Sequence, residues 1–400
     1  MDRPSRNPAA PEAETAGKKD RPPVVLQVLP AMAAGGVERG TVDMAAALVE
    51  AGWTSLVASA GGPMTYEIER AGATHFTLPL NRKNPFALRQ NAHRLADLVK
   101  EHGVDLMHAR SRAPAWSAYA AAKETQCHFV TTFHGTYGAQ NWLKRRYNAV
   151  MTRGERVIAI SEFIAGHMRR IYGVEPTKLR VIPRGVKMDI FDPARVSAER
   201  IIQLSRQWQL RDDAPVVVLP GRLTRWKGQT VLIDALAHLG RKNVQCRLVG
   251  SDQGRTGYRK ELERRIIARG LSDVVKIVDH CRDMPAAYML ADVVVSASTD
   301  PEAFGRVVAE GQAMGRPVLA SDHGGARETV LVNETGRLTP PGDAKGLAEG
   351  LDWALALTPE ERDRLAAKAR AHIAQNYTNA AMCRATLDVY REVLSAEPSP

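Results

Sequence analysis

Continuous apolar runs, each stopped by glycine, proline or a polar cluster and followed by residues of helical spacing, recur along the chain. The first, Val24-Val25-Leu26-Gln27-Val28-Leu29, leads into Ala34-Gly35-Gly36-Val37-Glu38-Arg39-Gly40 and a helical pattern through Leu48. Ser55-Leu56-Val57-Ala58, Asp105-Leu106-Met107-His108, His128-Phe129-Val130-Thr131-Thr132 and Val157-Ile158-Ala159-Ile160-Ser161 repeat it, with helices near Thr65 to Ala71, from Pro114 to Lys123 and from Glu162. Runs that do not alternate suit strands buried on both faces, so the pattern predicts a parallel sheet wound with helices. A short strand and turn at Leu179-Arg180-Val181-Ile182-Pro183-Arg184-Gly185-Val186 closes this half. A second series follows at Val216 to Pro220, Cys246 to Gly250, Val274 to Val278, Ala291 to Ser296 and Pro317 to Ala320, and a terminal helix is expected from about Ala380 to Leu394. The expected fold class is α/β, with two doubly wound domains.

The second series is organised around Asp300-Pro301-Glu302-Ala303-Phe304-Gly305-Arg306-Val307-Val308-Ala309-Glu310, read as loop and helix after the strand Ala291 to Ser296. Pro301 cannot continue a strand ladder, and Gly305 lets the backbone approach a ligand, so the helix opens with free amides around Phe304 to Val307. Such an amide cluster is an anion site. Glu302 lies at its mouth and Glu310 inside the helix, where carboxylates accept hydrogen bonds from hydroxyls. The pair fits sugar hydroxyls on either side of a phosphate, which describes a nucleotide sugar. Acidic residues also simply favour the positive end of a helix, and that reading stands beside the first.

Other strand ends carry candidate chemistry. Gly221-Arg222-Leu223-Thr224-Arg225-Trp226-Lys227-Gly228 places two cations where they can converge on one diphosphate, Arg222 by its planar fork and Lys227 as a point charge. His134 in Phe133-His134-Gly135 points into the crevice where open α/β sheets bind ligands. Gly35-Gly36 lacks the G-x-G-x-x-G spacing of a dinucleotide site and can equally be a turn needing positive φ. Ser161 is read as a helix N-cap.

Glu302-x7-Glu310 with Phe304-Gly305 inside, then Ala313-Met314-Gly315-Arg316-Pro317-Val318, resembles the signature of glycosyltransferase family 4. Gly-Arg-x4-Lys-Gly and the Phe-His-Gly triplet extend that resemblance over residues 24–390. It implies the GT-B fold: two Rossmann-like domains facing across a cleft, with the C-terminal helix crossing back to the first. It also implies donor binding by Gly36, Arg222, Lys227, Glu302, Ala303, Phe304, Gly305, Arg306 and Glu310. Catalysis would involve Glu302, His134, Arg222 and Lys227, with Glu302 on a sugar hydroxyl, Glu310 on the ribose and His134 beside the hexose. Members retain anomeric configuration. Where the family usually has Ile-Pro-Asn-Gly-Val-Asp, this chain has Arg184, with Lys187 before Asp189. The expected domains are a tail at 1–21, an acceptor domain at 22–192, a nucleotide-sugar domain at 193–376 and a crossover helix and tail at 377–400.

Composition narrows the partners. Of the formal charge of +11, residues 1–190 hold 26 Lys and Arg against 17 Asp and Glu, and the remainder 29 against 27, so the first half is the basic one. Arg82-Lys83, Arg89, Arg94 and the run Trp142-Leu143-Lys144-Arg145-Arg146-Tyr147 supply much of it, either as a solvated face or as a seat for an anionic acceptor or membrane surface. Nucleic acid is not expected, because no binding module is present and the aromatics form no stacking platform. Residues 1–21 show no apolar periodicity, lack a secretory core and are expected to be disordered. No run approaches the roughly 20 apolar residues of a membrane span, so a cytoplasmic chain is expected, in the soluble phase or at the inner membrane face. Four scattered cysteines have no metal-ligand spacing, and D-x-D is missing, so no cofactor and no metal are expected.

These features are expected of a bacterial cell-envelope glycosyltransferase acting on a lipopolysaccharide-core or lipid-linked saccharide. A transferase for a soluble acceptor, such as a disaccharide synthase or phosphorylase, and a non-catalytic nucleotide-sugar-binding subunit of a polysaccharide assembly complex are the alternatives.

Overall fold

The computed structural model describes residues 21–33, 35–138 and 141–396. Seven strands build the first sheet: β1 Val24–Val28, β2 Thr54–Ser59, β3 Thr74–Thr77, β4 Leu106–Ala109, β5 His128–Phe133, β6 Arg156–Ala159 and β7 Leu179–Val181. Six build the second: β8 Val216–Pro220, β9 Gln245–Val249, β10 Val275–Val278, β11 Val293–Ser296, β12 Val318–Ser321 and β13 Gly336–Thr339. All pairings are parallel, in the orders β3-β2-β1-β4-β5-β6-β7 and β10-β9-β8-β11-β12-β13. The fold class read from the sequence is the one found, two Rossmann-like wound domains. In each, the order reverses beside the first strand, and the loops after the carboxyl ends there form the ligand crevice of such sheets.

The apolar runs are the sheet centres: Val25, Leu26 and Val28, like Val217, Val218 and Val293, are fully or almost fully buried. The helices between them start and stop where local chemistry dictates. Asn84 caps the N-terminus of Pro85–His102 by accepting from the Ala87 amide, and Gly103 ends that helix at φ 60. Thr358 and Glu361 form a reciprocal capping box on Pro359–Asn376.

The terminal helix Asn379–Leu394 returns to the first sheet. Met382, Leu387, Tyr390 and Val393 pack with Val25, Met44, Leu48 and Leu106, and Tyr390 Oη lies 2.6 Å from His108 Nδ1. The two chain crossings between the domains are hydrogen-bonded to each other. The Val186 amide donates to Tyr377 O at 2.8 Å, and the Asn379 amide donates to Val186 O at 2.9 Å.

Several expectations shift in detail. The edge strands β3 and β13 were not read from the sequence, since Thr-His-Phe-Thr and Gly-Arg-Leu-Thr carry no apolar run. Gly35 has φ 177, which is extended backbone, and Gly36 is the first helical residue, so neither needs a left-handed conformation. Residues 1–20 of the expected tail lie outside the described residues. Arg21, placed in that tail, instead donates to both carboxylate oxygens of Asp105 and to Gly103 O. Among the described residues no helix is long and apolar enough to cross a membrane.

Candidate active site

The loop after β11 and the helix Arg306–Ala313 form the second domain's face of the cleft. Gly305 caps that helix at φ 85, a left-handed conformation that suits glycine and aims the first amides outward. Phe304 is buried and packs edge-on against Tyr377, which fixes the loop from behind. Gly324-Gly325 after β12 holds it from the side: a Cβ on Gly324 would lie 2.3 Å from Glu302 O, and the Gly325 amide donates to that oxygen at 2.8 Å. His323 Nε2 lies 2.8 Å from Ser298 O. This turn, Tyr288, Ser296 and Ser298 escaped the sequence analysis as site residues; the one signal for them was the Gly-Gly pair at a strand end.

Glu302 and Lys227 pair at 2.7 Å, and the same carboxylate oxygen, Oε1, accepts from Ser296 at 3.1 Å and Ser298 at 2.5 Å. Burial pushes the Glu302 carboxyl up, but Lys227 and the two hydroxyls outweigh it and hold it below the usual carboxylate value. The aliphatic stem of Lys227 runs past Gly221, 3.5 Å from where a Cβ there would be, which is ordinary packing distance. Arg222 does not share this pair. It is exposed and lines a neighbouring surface pocket with Thr224, Arg225, Trp226, Arg255 and Tyr258. Lys227 thus faces Glu302, while Arg222 of the same loop faces the adjoining pocket.

Glu310 is also engaged on both oxygens, by Arg306 Nη2 at 2.7 Å and Tyr288 Oη at 2.9 Å. Burial first, and then the Glu310 charge, raise the Tyr288 hydroxyl well above its ordinary pKa, so it stays a donor to that carboxylate.

The first domain supplies the opposite face. A Cβ on Gly36 would lie 3.8 Å from Arg306 Cδ, so the glycine loop looks across the cleft at the helix mouth. His134, just after β5, accepts through Nδ1 from Arg184 Nη2 at 3.0 Å. Burial, and then the charges of Arg184 and Arg110, push His134 well below its ordinary value. Burial and the charges of Arg110 and Arg306 bring Arg184 down to about 9. Two contacts lock the faces together. Ser161 caps Glu162–Tyr172 as expected and also donates to Ala303 O of the other domain at 2.6 Å. Glu328 accepts from the amides of Glu162 and Phe163 at 2.9 and 2.7 Å.

Two wound Rossmann-like domains facing across a cleft, with a helix N-terminus and a largely buried lysine-carboxylate pair on the second domain's side, form the GT-B architecture. The family comparisons agree with this fold. Residues 34–190 match the model for Glycosyltransferase Family 4 and residues 201–372 that for Glycosyl transferases group 1. The D-inositol 3-phosphate glycosyltransferase of Xylanimonas cellulosilytica is 31% identical over 328 residues, 78% of this chain and 76% of that protein. A glycosyltransferase from Rickettsia africae superposes with a TM-score of 0.87 at 36% identity, over 93% of this chain and 99% of that one. HepE from Anabaena in complex with UDP and glucose superposes with a TM-score of 0.81 at 25% identity, over 92% and 99%. The chain belongs to the group 1, family 4 glycosyltransferases.

Proposed function

We propose that this glycosyltransferase moves a hexose-type sugar from a nucleotide sugar to a hydroxyl of a lipopolysaccharide-core or lipid-linked saccharide, with retention of configuration and without a metal. The observation that carries the reading is the Lys227–Glu302 pair at 2.7 Å beside the Gly305-capped helix mouth. In this reading the pair and the helix mouth supply a cation and amides to the charge on a departing diphosphate, and a carboxylate to a sugar hydroxyl. HepE, bound to UDP and glucose, supports a UDP-sugar donor.

In this scheme the acceptor oxygen attacks the anomeric carbon on the face that the phosphate leaves. The bond from that carbon to the phosphate oxygen breaks with its electron pair going to phosphate, and the phosphate oxygen takes the acceptor's proton. Lys227, Arg222 and the amides after Gly305 stabilise the leaving charge. Glu302 orients a sugar hydroxyl, Glu310 reaches the ribose by giving up one of its present partners, and His134 borders the hexose.

The acceptor end rests on charge. Arg82, Lys83, Arg89, Lys144, Arg145 and Arg146 are exposed on the first domain, beside exposed Phe86, Trp142 and Leu143. Such a face suits an anionic lipid-linked acceptor at an inner membrane surface. The names of the D-inositol 3-phosphate glycosyltransferase relatives favour a second reading, a soluble phosphorylated acceptor. Sugar transfer in EDTA, offered a lipid-linked core saccharide and inositol 3-phosphate in parallel, tests the reading: transfer to the lipid-linked acceptor supports it. Transfer to inositol 3-phosphate alone replaces it with the second, and transfer that needs an added divalent cation removes the metal-free claim.

A further inference from the structure

Arg184 stands where the Ile-Pro-Asn-Gly pattern has asparagine, and its role follows from one contact. A guanidinium has N–H donors and no acceptor, so its 3.0 Å approach to His134 Nδ1 is a hydrogen bond only if that nitrogen presents a lone pair. A neutral imidazole with Nδ1 bare carries its proton on Nε2. That nitrogen is buried and has no hydrogen-bond partner among the described residues. A buried donor without a partner is costly unless a ligand satisfies it.

The surroundings favour the same neutral state. The groups facing His134 are Arg184 from the loop after β7, Arg110 and His108 from the end of β4, and the Tyr137 hydroxyl on its backbone N–H. No carboxylate stands among them to hold an imidazolium. Arg184 itself is packed in place. It is 7% exposed, and its Nη1 fills the place a side chain on Gly40 would need, 2.0 Å from that Cβ position. Arg110, 4% exposed and tied to Gln27 Oε1 at 2.8 Å, closes the space behind.

We infer that Arg184 is a positioning residue for His134: its Nη2–H fixes the ring as the neutral Nε2–H tautomer, so that His134 donates to a hydroxyl oxygen of the transferred sugar and cannot serve as its base. The sugar contact rests on the reading in the preceding subsection; the tautomer does not. A hydrogen bond whose acceptor is a hydroxyl selects a donor sugar with an oxygen at that place and rejects the deoxy analogue.

The test uses full-length protein labelled with 15N-histidine, without substrate, with His134 assigned by the signal lost in His134→Gln. Two-bond 1H–15N spectra between about pH 5 and 8 are expected to show a protonated Nε2 and a bare Nδ1 throughout. Arg184→Met is expected to bring tautomer exchange and protonation into that range. It is also expected to lower kcat/KM about tenfold at neutral pH and give it a further fall on the acid side. Arg184→Lys, which keeps a donor, is expected to retain the wild-type spectrum and profile. A wild-type ring protonated on Nδ1, or an Arg184→Met protein whose spectrum and pH profile both match wild type, overturns the inference. Should Arg184→Met not fold, the wild-type spectrum decides alone. Because that spectrum needs no turnover, failure of the glycosyl-transfer reading and failure of this assignment are separate results.

Discussion

Glu302 and Lys227 lie 75 residues apart in sequence and 2.7 Å apart in the cleft, each with a side chain about 15% exposed or less. Breaking a buried pair from one side strands the other charge, at a cost of about 3 kcal/mol. Lys227→Met is therefore expected to lose about that much in urea unfolding. Lys227→Met combined with Glu302→Gln is expected to regain much of it while staying inactive. A double variant as unstable as the sum of the singles would show that the two side chains do not interact.

The same pair has a pH signature. Glu302 is held below its ordinary value, so it contributes stability that is present above that value and lost as pH falls through the depressed one. Thermal unfolding of wild type against Glu302→Gln is expected to differ least in the acid range, below the usual carboxylate titration, and most at neutral pH. A gap that widens as pH falls contradicts the sign.

Gly185 lies at the crossing between the domains, where a Cβ would fall 2.4 Å from the backbone of Asn379. Backbone cannot move aside as a flexible side chain can, so Gly185→Ala forces the two crossings apart. It is expected to cost about 1–3 kcal/mol and to change kcat and KM together. Steady-state kinetics with X-ray scattering on the same sample check this; unchanged kinetics and an unchanged radius of gyration would show that the crossing tolerates separation.

Glu328 joins the domains by accepting from the first amides of Glu162–Tyr172, where its charge also meets the positive helix end. Glu328→Gln is expected to weaken closure by about 1 kcal/mol and raise the donor KM about fivefold, with the unfolding midpoint nearly unchanged. An unchanged KM would place the clasp outside the catalytic cycle.

The basic face of the first domain makes a salt-dependent expectation. Binding to vesicles containing phosphatidylserine should occur at low ionic strength, fall sharply at high salt, and be lost on replacing Lys144, Arg145 and Arg146 with glutamate. Sedimentation that ignores both salt and the triple substitution removes the membrane from the account.

What the sequence made legible follows from how each feature is encoded. Strands buried on both faces announce themselves as apolar runs, so Val216–Pro220 and Val293–Ser296 are readable, whereas the half-exposed edge strand Thr74–Thr77 has nothing to distinguish it from a loop. The helix mouth at Gly305 is written locally and was found where expected. Partnerships formed across the fold are not written locally. Tyr288 has no local signal in the sequence, and only packing brings it to Glu310; Arg184 reads as a departure from a motif until the fold sets it 3.0 Å from His134, 50 positions earlier. Lys227 and Arg222 share a loop, and only the folded contact with Glu302, 75 residues on, shows that Lys227 turns to that carboxylate while Arg222 faces solvent.

The most direct test of metal-free sugar transfer in this cleft is nucleotide release from UDP-, GDP- and ADP-sugars in EDTA, without acceptor, by wild type and by Glu302→Gln. Slow release by wild type from one nucleotide class, lost in the variant, is the expected result. Release that appears only with an added divalent cation, or that the variant keeps in full, would contradict the account.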